Sequence, residues 1–428
     1  MDYQQAVDYL DSHIHLGVRP GLERITDLLE TMGRPDDGYP LIHVAGSNGK
    51  TSTARLATWL LVAHGLTTGT YTSPHLQRVE ERLAVNGRFS TPEEFAFAVS
   101  DVAAFAELRE PAGKEANTYF ELTTAAAFAF FADQAVRAAV IEVGLGGRLD
   151  ATNVVDSEVC VVTSIGKEHT EYLGEDLESI AAEKLAIAGP SSVLVTGPLP
   201  DAALGVAEAR ARELGIHHRH FGRDFSVGDA ELGVGGWLVT IEGAEETYED
   251  VFLPLHGRYQ LVNLATAVAA GEALLGGKLD VEAVVDGAAA ANIPGRMELI
   301  GSRPLVMVDG AHNADGVRTL VESLREEFPT TSWQVVLGVM GDKNIEAMLE
   351  QLSPIASGIV ATAQQSDRAV SPEMLASRVA ANAEVPVLQD DDVSVALDMA
   401  RAEAGSDGAV LVTGSLYLVG EVRDLLVR

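Results

Sequence analysis

The chain has 428 residues, a formal net charge of −33 and a single cysteine, Cys160. This length predicts two or three domains, the acidic composition argues against non-specific nucleic-acid binding, and one cysteine excludes an internal disulfide framework. No apolar run approaches the roughly 20 residues that a bilayer demands and the N-terminus lacks a signal-peptide pattern, so we expect a cytoplasmic protein that binds neither nucleic acid nor membrane.

The predicted elements alternate between helices and short apolar strands. In chain order they are a helical region over 4–32, a strand at 41–45, helices over 50–64, 91–107 and 118–134, strands near 69–72, 138–143 and 158–164, a β-rich segment over 221–255, and strands near 305–309, 335–339, 358–362 and 410–413 with helices between them. This alternation is typical of parallel sheets with crossover helices. It predicts an α/β fold: a P-loop-type, mostly parallel sheet domain with flanking helices over 1–295, then a smaller Rossmann-like α/β domain over 296–428.

The strongest motif lies between the strand at 41–45 and the helix that follows it. It consists of Gly46, Ser47, Asn48, Gly49, Lys50, Thr51 and Ser52. Backbone N–H groups of such a turn and the helix N-terminus can hold phosphate oxygens, while Lys50 would reach the β/γ phosphates and Thr51 or Ser52 would bind phosphate or Mg²⁺. The strict P-loop pattern needs glycine where Val44 stands, and Gly-Lys-Thr alone also fits a helix-capping turn. The strand before the motif and the helix after it favour a nucleotide site.

This loop resembles the phosphate loop of the Mur ligase superfamily, which includes the folylpolyglutamate and dihydrofolate synthases. Those synthases usually carry glycine after the lysine, where this chain has Thr51. The segment Tyr71–Leu76 resembles the loop after the second strand of the folate-type synthases, and Ser73 is a Mg²⁺ ligand in that resemblance. The likeness implies an ATP-binding central domain followed by a C-terminal glutamate ligase domain.

Three further segments carry the metal ligands that the resemblance implies. Glu142 lies at the end of an apolar strand, where a carboxylate is costly unless it meets a cation or donors, and the family glutamate binds Mg²⁺. His169 follows the next strand end and is implied as a ligand by the resemblance alone. Ligands of open α/β sheets bind at these strand ends. Lys184 matches a lysine that is carbamylated in many of these enzymes, where the carbamate holds a second Mg²⁺.

The nucleotide contacts implied by the resemblance continue towards the C-terminus. Asn263 lies in a segment that faces the nucleotide, and Arg296 matches an interdomain phosphate contact. Asp309 and His312 match residues that face the ribose and nucleotide.

The family resemblance implies an ATP-dependent, ADP-forming ligase that joins L-glutamate to a folate or dihydropteroate carboxylate through an acyl phosphate. Lys50, Lys184, His169 and Arg296 are the implied catalytic residues, with two Mg²⁺ sites and a monomeric protein. The sequence leaves open whether dihydropteroate, a reduced folate or both are acceptors.

Two other functions have to be weighed against this one. A peptidoglycan-type ligase would carry an additional UDP-binding domain before the phosphate loop, but only about 40 residues precede it. A P-loop regulator without ligase activity would need no second α/β domain. Only six of the 30 basic residues are lysines, a composition suited to a salt-rich cytoplasm. An anionic acceptor needs a locally basic site, for which Arg19, Arg24, Arg78 and Arg82 are candidates.

Overall fold

We describe the protein from a computed structural model, which covers residues 1–109, 115–167 and 170–427. The chain forms two compact units. The first unit comprises Met1–Glu231, Leu238–Pro254 and Leu261–Ala291, and the second comprises Leu232–Trp237, Leu255–Gln260 and the chain from Asn292 onward. The domain division between residues 295 and 296 stays a prediction.

The first unit is built on an eight-stranded sheet. Its strands are β1 (Leu41–Ala45), β2 (Thr68–Tyr71), β3 (Leu83–Val85), β4 (Arg88–Phe89), β5 (Ala138–Glu142), β6 (Val159–Val162), β7 (Val193–Thr196) and β8 (His218–His220). Their spatial order is β4-β3-β2-β5-β1-β6-β7-β8. β2, β5, β1, β6, β7 and β8 run parallel, whereas β3 and β4 form an antiparallel edge. Because β1 lies between β5 and β6, the loops that follow these three strands meet at one edge of the sheet.

Ten helices surround these strands or follow them in the described residues up to Ala291. They are α1 (Tyr3–Asp11), α2 (Glu23–Thr31), α3 (Lys50–Ala63), α4 (Pro92–Arg109), α5 (Tyr119–Asp133), α6 (Thr170–Leu173), α7 (Leu177–Lys184), α8 (Asp201–Leu214), α9 (Tyr259–Leu275) and α10 (Val281–Ala289). The continuous helical region predicted over 4–32 is wrong in its middle, where Gly17 has a φ of +59° and Pro20 provides no N–H donor. Only a short 3₁₀ turn, Ile14–Leu16, lies between α1 and α2.

The central strands are buried along their whole length. Every residue of β1, β5 and β6 is buried, as expected for parallel strands that are covered by helices on both faces. Cys160 lies in β6 with no exposed surface. A large hydrophobic cluster that includes Phe95, Phe128 and Phe131 packs α4 and α5 against the sheet. The middle of the sheet is therefore a rigid base for the loops at its carboxyl edge.

A separate three-stranded sheet corresponds to the β-rich segment predicted over 221–255. Its strands are β9 (Ser226–Gly233), β10 (Gly236–Glu242) and β11 (Thr247–Leu253), in the order β11-β10-β9. Glu272 of α9, which has no exposed surface, accepts hydrogen bonds from Ala244 N and the Tyr248 hydroxyl. This carboxylate ties the turn between β10 and β11 to α9.

The second unit contains a six-stranded sheet. Its elements are β12 (Glu298–Ser302), β13 (Leu305–Val308), α11 (Ala314–Glu327), β14 (Trp333–Leu337), α12 (Ile345–Leu352), β15 (Ala356–Ala361), α13 (Pro372–Asn382), β16 (Val387–Gln389), α14 (Val393–Ala404), β17 (Ala409–Thr413) and α15 (Leu416–Leu426). The strand order is β12-β13-β17-β14-β15-β16, with β12 antiparallel to β13 and the other pairs parallel. The predicted α/β class, with a large mostly parallel sheet and a smaller second α/β unit, is confirmed. Within the described residues, no helix combines the length and apolar character needed to cross a bilayer.

The buried histidine of β1 makes the stability of the protein sensitive to acid. Burial lowers the pKa of His43 to about 3, whereas a histidine in an unfolded chain has a pKa of about 6.5. Below that value the unfolded chain takes up a proton that folded His43 does not. The free energy of unfolding therefore decreases as the pH falls from about 6.5 towards 3.

Between pH 7 and pH 5, we expect the wild-type protein to lose about 2 kcal/mol more of its free energy of unfolding than a His43→Gln variant. Glutamine keeps a side-chain donor for Thr152, whose hydroxyl lies 2.8 Å from His43 Nε2. Denaturant unfolding at the two pH values measures the difference. Equal losses in the two proteins would mean that folded His43 takes up the proton after all.

Candidate active site

The phosphate loop connects β1 to α3 and is shaped by two glycines. Gly46 has a φ of +147°, and Gly49 has a φ of +86° at the N-cap of α3. Lys50 begins the helix, and its Nζ donates to the carbonyl oxygens of Gly46 (2.9 Å) and Ser47 (3.4 Å). The Lys50 ammonium is thus folded back over the loop, beside the N-terminus of α3. A backbone turn, a helix N-terminus and a lysine combine here as an anion-binding site requires.

The segment after β6 forms hydrogen bonds with the backbone of this loop. The sequence analysis did not predict these contacts. Ser47 N donates to Ser164 O (2.9 Å), and Asn48 N donates to Ser164 Oγ (2.9 Å). In return, the hydroxyls of Thr163 (2.6 Å) and Ser164 (3.0 Å) donate to Asn48 O. Two small hydroxyl residues at the end of the neighbouring strand therefore fix the conformation of the loop.

Replacing Gly46 by alanine is expected to disturb the phosphate loop. An added Cβ would collide with Thr163 Oγ1 and come within 3.1 Å of Thr163 N, at a φ that favours glycine. We expect a loss of about 1–3 kcal/mol in unfolding free energy and a fall of about tenfold or more in ADP affinity. Denaturant unfolding and titration calorimetry measure the two effects.

Gly205→Ala is the matched control for this variant. Gly205 lies inside α8, and nothing lies within 4 Å of its added Cβ. This change should be neutral or stabilise the protein by about 0.5–1 kcal/mol, with ADP affinity unchanged. Wild-type ADP affinity in Gly46→Ala would contradict the assignment of the loop.

The carboxylate of Glu142 lies next to the phosphate loop. Glu142 ends β5 and is only 1% exposed. The Thr51 hydroxyl donates to Glu142 Oε1 (2.8 Å) and Oε2 (3.0 Å), and Ser73 N donates to Oε2 (3.2 Å). The structure thus brings together Thr51, Ser73 and Glu142 from three separate segments of the chain. The resemblance assigned Ser73 and Glu142 to the metal, and the phosphate-loop motif offered Thr51 or Ser52 for phosphate or Mg²⁺.

The oxygen atoms around Glu142 fit a magnesium ion. Mg²⁺ prefers oxygen ligands and is usually held by one or two carboxylates together with water and substrate phosphates. A buried carboxylate beside two hydroxyl residues and a phosphate loop meets that description. No group of three or more His, Cys, Asp or Glu side chains that could hold a metal occurs among the described residues. His169, the third predicted ligand, lies outside the described residues.

Lys184 is the second lysine at the phosphate loop. It ends α7, is 2% exposed, and its Nζ donates to Gly46 O (3.1 Å), the same carbonyl that Lys50 contacts. Together with Gly46, the two lysines line a small pocket whose far wall is the segment 143–146. While Lys184 is unmodified, the two ammonium groups that converge on this carbonyl create a positive centre for anionic ligands, whereas a carbamate on Lys184 would bring a negative charge to the same place. Carbamylation of Lys184 stays a prediction.

Asn263 of α9 also lies against the phosphate loop. Thr53 Oγ1 is 3.5 Å from Asn263 Oδ1, and a Cβ built on Gly49 would lie 2.7 Å from the same oxygen. The predicted nucleotide-facing residue Asn263 is therefore placed beside Gly49, at the start of α3.

The remaining predicted residues lie in the second unit. Asp309, 4% exposed, accepts hydrogen bonds from Met297 N (2.9 Å) and Ala311 N (2.8 Å). Burial raises the pKa of Asp309, and the neighbouring Arg296 guanidinium opposes that rise. His312 Nδ1 donates to Gly310 O across 2.8 Å. Arg296, Asp309 and His312 are thus held in one loop cluster, and their contacts with a nucleotide stay a prediction.

The phosphate loop, the two lysines and Glu142 together are suited to binding a nucleotide through its phosphates and to phosphoryl transfer. The phosphate loop and two lysines attract phosphate oxygens, and Glu142 supplies the carboxylate that a divalent ion bound to those phosphates needs.

Two protein families match most of the chain. The Mur ligase middle domain matches residues 44–271, and the Mur ligase glutamate ligase domain matches residues 295–416. A dihydrofolate synthase/folylpolyglutamate synthase of Mycobacterium tuberculosis is 36% identical, over 96% of this chain and 91% of the relative. A Haloferax volcanii protein, named for folylpolyglutamate synthase and dihydropteroate synthase activities, is 37% identical over 100% of this chain but only 51% of its own length.

The fold matches solved structures with similar coverage. Mycobacterium tuberculosis folylpolyglutamate synthase complexed with ADP superimposes with a TM-score of 0.95 at 35% identity, covering 100% of this chain and 98% of that one.

Proposed function

Because this chain belongs to the folylpolyglutamate synthase/dihydrofolate synthase family of Mur ligases, an ATP-dependent and ADP-forming group of glutamate ligases, we propose that it acts on both dihydropteroate and reduced folates. The convergence of Lys50, Lys184 and Glu142 on one phosphate loop carries the ATP-dependent part of this proposal. Relatives named for both synthase activities support the pair of acceptors.

The proposed reaction has two covalent steps. A carboxylate oxygen of the acceptor attacks the γ-phosphorus of ATP, and the bond to the β-phosphate oxygen breaks to release ADP. The amine of glutamate then attacks the carbonyl carbon of the acyl phosphate, loses a proton, and expels inorganic phosphate as the amide forms. ATP is needed because a carboxylate is a poor electrophile towards an amine at neutral pH.

The residues of the phosphate loop would promote the first step mainly by stabilising the negative charge of the transferring phosphoryl group. Lys50 lies where its ammonium can turn from the loop carbonyls to the phosphates and offset the negative charge on the transferring group. The N-terminus of α3 would bind phosphate oxygens. Magnesium, when bound with the nucleotide, supplies further positive charge at the phosphates. Glu142 and Ser73 would hold it, and the hydroxyl of Thr51 orients the Glu142 carboxylate.

Several finer points belong to the same proposal. Lys184 in its carbamylated form would hold a second Mg²⁺, and His169 would be a metal ligand together with Ser73 and Glu142. Asn263, Arg296, Asp309 and His312 would contact the nucleotide. We further propose a monomeric protein of the cytoplasm, whose acidic, lysine-poor surface suits high salt.

ATP turnover separates this function from that of a P-loop regulator. We expect ADP release to be slow with ATP and Mg²⁺ alone and to rise only when acceptor and glutamate are both present. The assay is run at low and at high salt because of the net charge of −33. ATP turnover that ignores both additions, in protein that binds ADP, would favour the regulator.

A further inference from the structure

A buried arginine beside the proposed metal site has no anionic partner in the described part of the chain. Arg82 is 7% exposed and ends a 3₁₀ turn, Val79–Arg82. Its Nε donates to His75 Nδ1 (3.1 Å), and its guanidinium carbon lies 5.3 Å from the centre of the Tyr119 ring. Among residues 1–109, 115–167 and 170–427, no carboxylate forms an ion pair with Arg82, and Nη1 and Nη2 have no hydrogen-bond acceptor.

The hydrogen bond between Arg82 and His75 fixes the character of both side chains. An arginine Nε can only donate, so His75 Nδ1 must accept, and the ring proton of His75 is on Nε2. His75 Nε2 likewise has no acceptor in the described residues. The pair therefore presents only N–H donors and a positive charge. A largely buried charge is costly unless an opposite charge meets it, and the Tyr119 ring offsets the charge of Arg82 only in part. An anion that reaches these donors would therefore be stabilised.

The other candidate arginines do not share this property. Arg24 forms an ion pair with Glu121 (2.9 Å). Arg19 and Arg78 are exposed to solvent, where a guanidinium is hydrated at little cost. Of the four arginines that the sequence offered for an anionic acceptor, Arg82 alone is both buried and without a carboxylate within the described residues.

The position of Arg82 indicates which anion it binds. Thr72 N donates to Arg82 O (3.1 Å), and the next residue, Ser73, donates its N–H to Glu142. The backbone of the segment that carries both donors is therefore held next to Glu142, the carboxylate proposed for the metal at the phosphates. Lys50 and Lys184 already converge at the phosphate loop, where the phosphates of ATP would bind. Arg82 is therefore available for the other anionic ligand, the acceptor carboxylate.

The shape of the arginine and its neighbours favours an aromatic carboxylate. A guanidinium edge matches the two oxygens of a carboxylate in one plane. Tyr119 lies under the guanidinium, and Phe120 lies 6.1 Å from Tyr71 at the end of β2. The guanidinium therefore has an aromatic neighbour at the start of α5.

We propose that Arg82 and His75 bind the carboxylate of the acceptor and set it in place for attack on the γ-phosphate. This inference rests on the proposed function, because it assumes a carboxylate acceptor. It assigns to the Thr72–Arg82 segment a role in acceptor specificity, in addition to the metal contact of Ser73.

Equilibrium binding of two matched probes tests the assignment. Dihydropteroate and its carboxamide, in which an uncharged amide replaces the carboxylate, are titrated into the ADP-loaded full-length protein. In the wild type, dihydropteroate should bind more tightly. In Arg82→Gln, affinity for dihydropteroate should fall by roughly 10- to 100-fold, as expected for lost hydrogen bonds to a charged group, whereas affinity for the carboxamide and for ADP should hardly change. Arg78→Gln is the control, with an exposed arginine of the same turn, and should bind both probes as the wild type does.

Other outcomes distinguish a failure of the Arg82 assignment from a failure of the proposed function. Wild-type affinity for dihydropteroate in a folded Arg82→Gln variant would overturn the role of Arg82 and leave the proposed function intact. A wild type that binds ADP but neither probe would overturn the choice of acceptor itself. If Arg82→Gln does not fold, His75→Ala decides. Loss of the Nε2 donor should then weaken dihydropteroate binding several-fold without affecting the carboxamide, and equal effects on both probes would contradict the proposal.

Discussion

A Lys50→Ala variant is expected to lose ligation by about 1,000-fold or more. Lys50 is the first residue of α3, and its ammonium lies over the loop carbonyls of Gly46 and Ser47. Its positive charge would be aligned with the phosphates before reaction, so its removal takes away charge stabilisation that costs no rearrangement in the transition state. The rate of product formation with saturating ATP, acceptor and glutamate measures the effect.

The control for this variant is another lysine far from the loop. Lys278 is mainly exposed and pairs only loosely with Glu246, at 3.6 Å. Lys278→Ala should ligate at the wild-type rate. If Lys50→Ala kept full ligation while folding normally, the phosphate loop would not be the site of ATP chemistry, and the mechanism described above would be wrong.

A Glu142→Gln variant is expected to lose about 100- to 1,000-fold in ligation rate and to require much more Mg²⁺ for half-maximal activity. Glutamine keeps the size of the side chain and an oxygen for Thr51 and Ser73, but it removes the negative charge that a divalent ion needs. Direct titration of Mn²⁺ by electron paramagnetic resonance, with ADP present, reports metal binding independently of turnover. We expect weaker Mn²⁺ binding in the variant.

Glu272→Gln provides a matched control because Glu272 is equally buried but lies at the turn of the small sheet. Its substitution should lower stability and leave the Mg²⁺ requirement unchanged. An unaltered Mn²⁺ affinity in Glu142→Gln would remove Glu142 from the metal site.

The sequence predicted the strands and the phosphate loop because their signals are local. β1, β5 and β6 are short, mainly apolar runs, and such runs bounded by turn residues indicate buried parallel strands. The glycines and Lys50 of the loop lie next to one another in the chain. The helix predicted over 4–32 failed in its middle because apolar spacing continued across Gly17 and Pro20, whose backbone restrictions interrupt helix geometry.

What the sequence could not give are contacts between distant segments. Thr163 and Ser164 carry no periodic pattern, and their support of the phosphate loop exists only because β6 lies beside β1. The sequence alone did not distinguish the four arginines that were candidates for binding the acceptor. Packing alone distinguishes Arg24, paired with Glu121, from Arg82, which is buried beside His75.

The mass of the product tests the central claim most directly. Purified protein is incubated with ATP, Mg²⁺ and L-glutamate, together with either dihydropteroate or tetrahydrofolate, at low and at high salt. The proposed function predicts that each acceptor gains a glutamate through an amide bond, with ADP and phosphate released. No gain of mass on either acceptor, from folded protein that binds ADP, would contradict the assignment of this chain as a folate-type glutamate ligase.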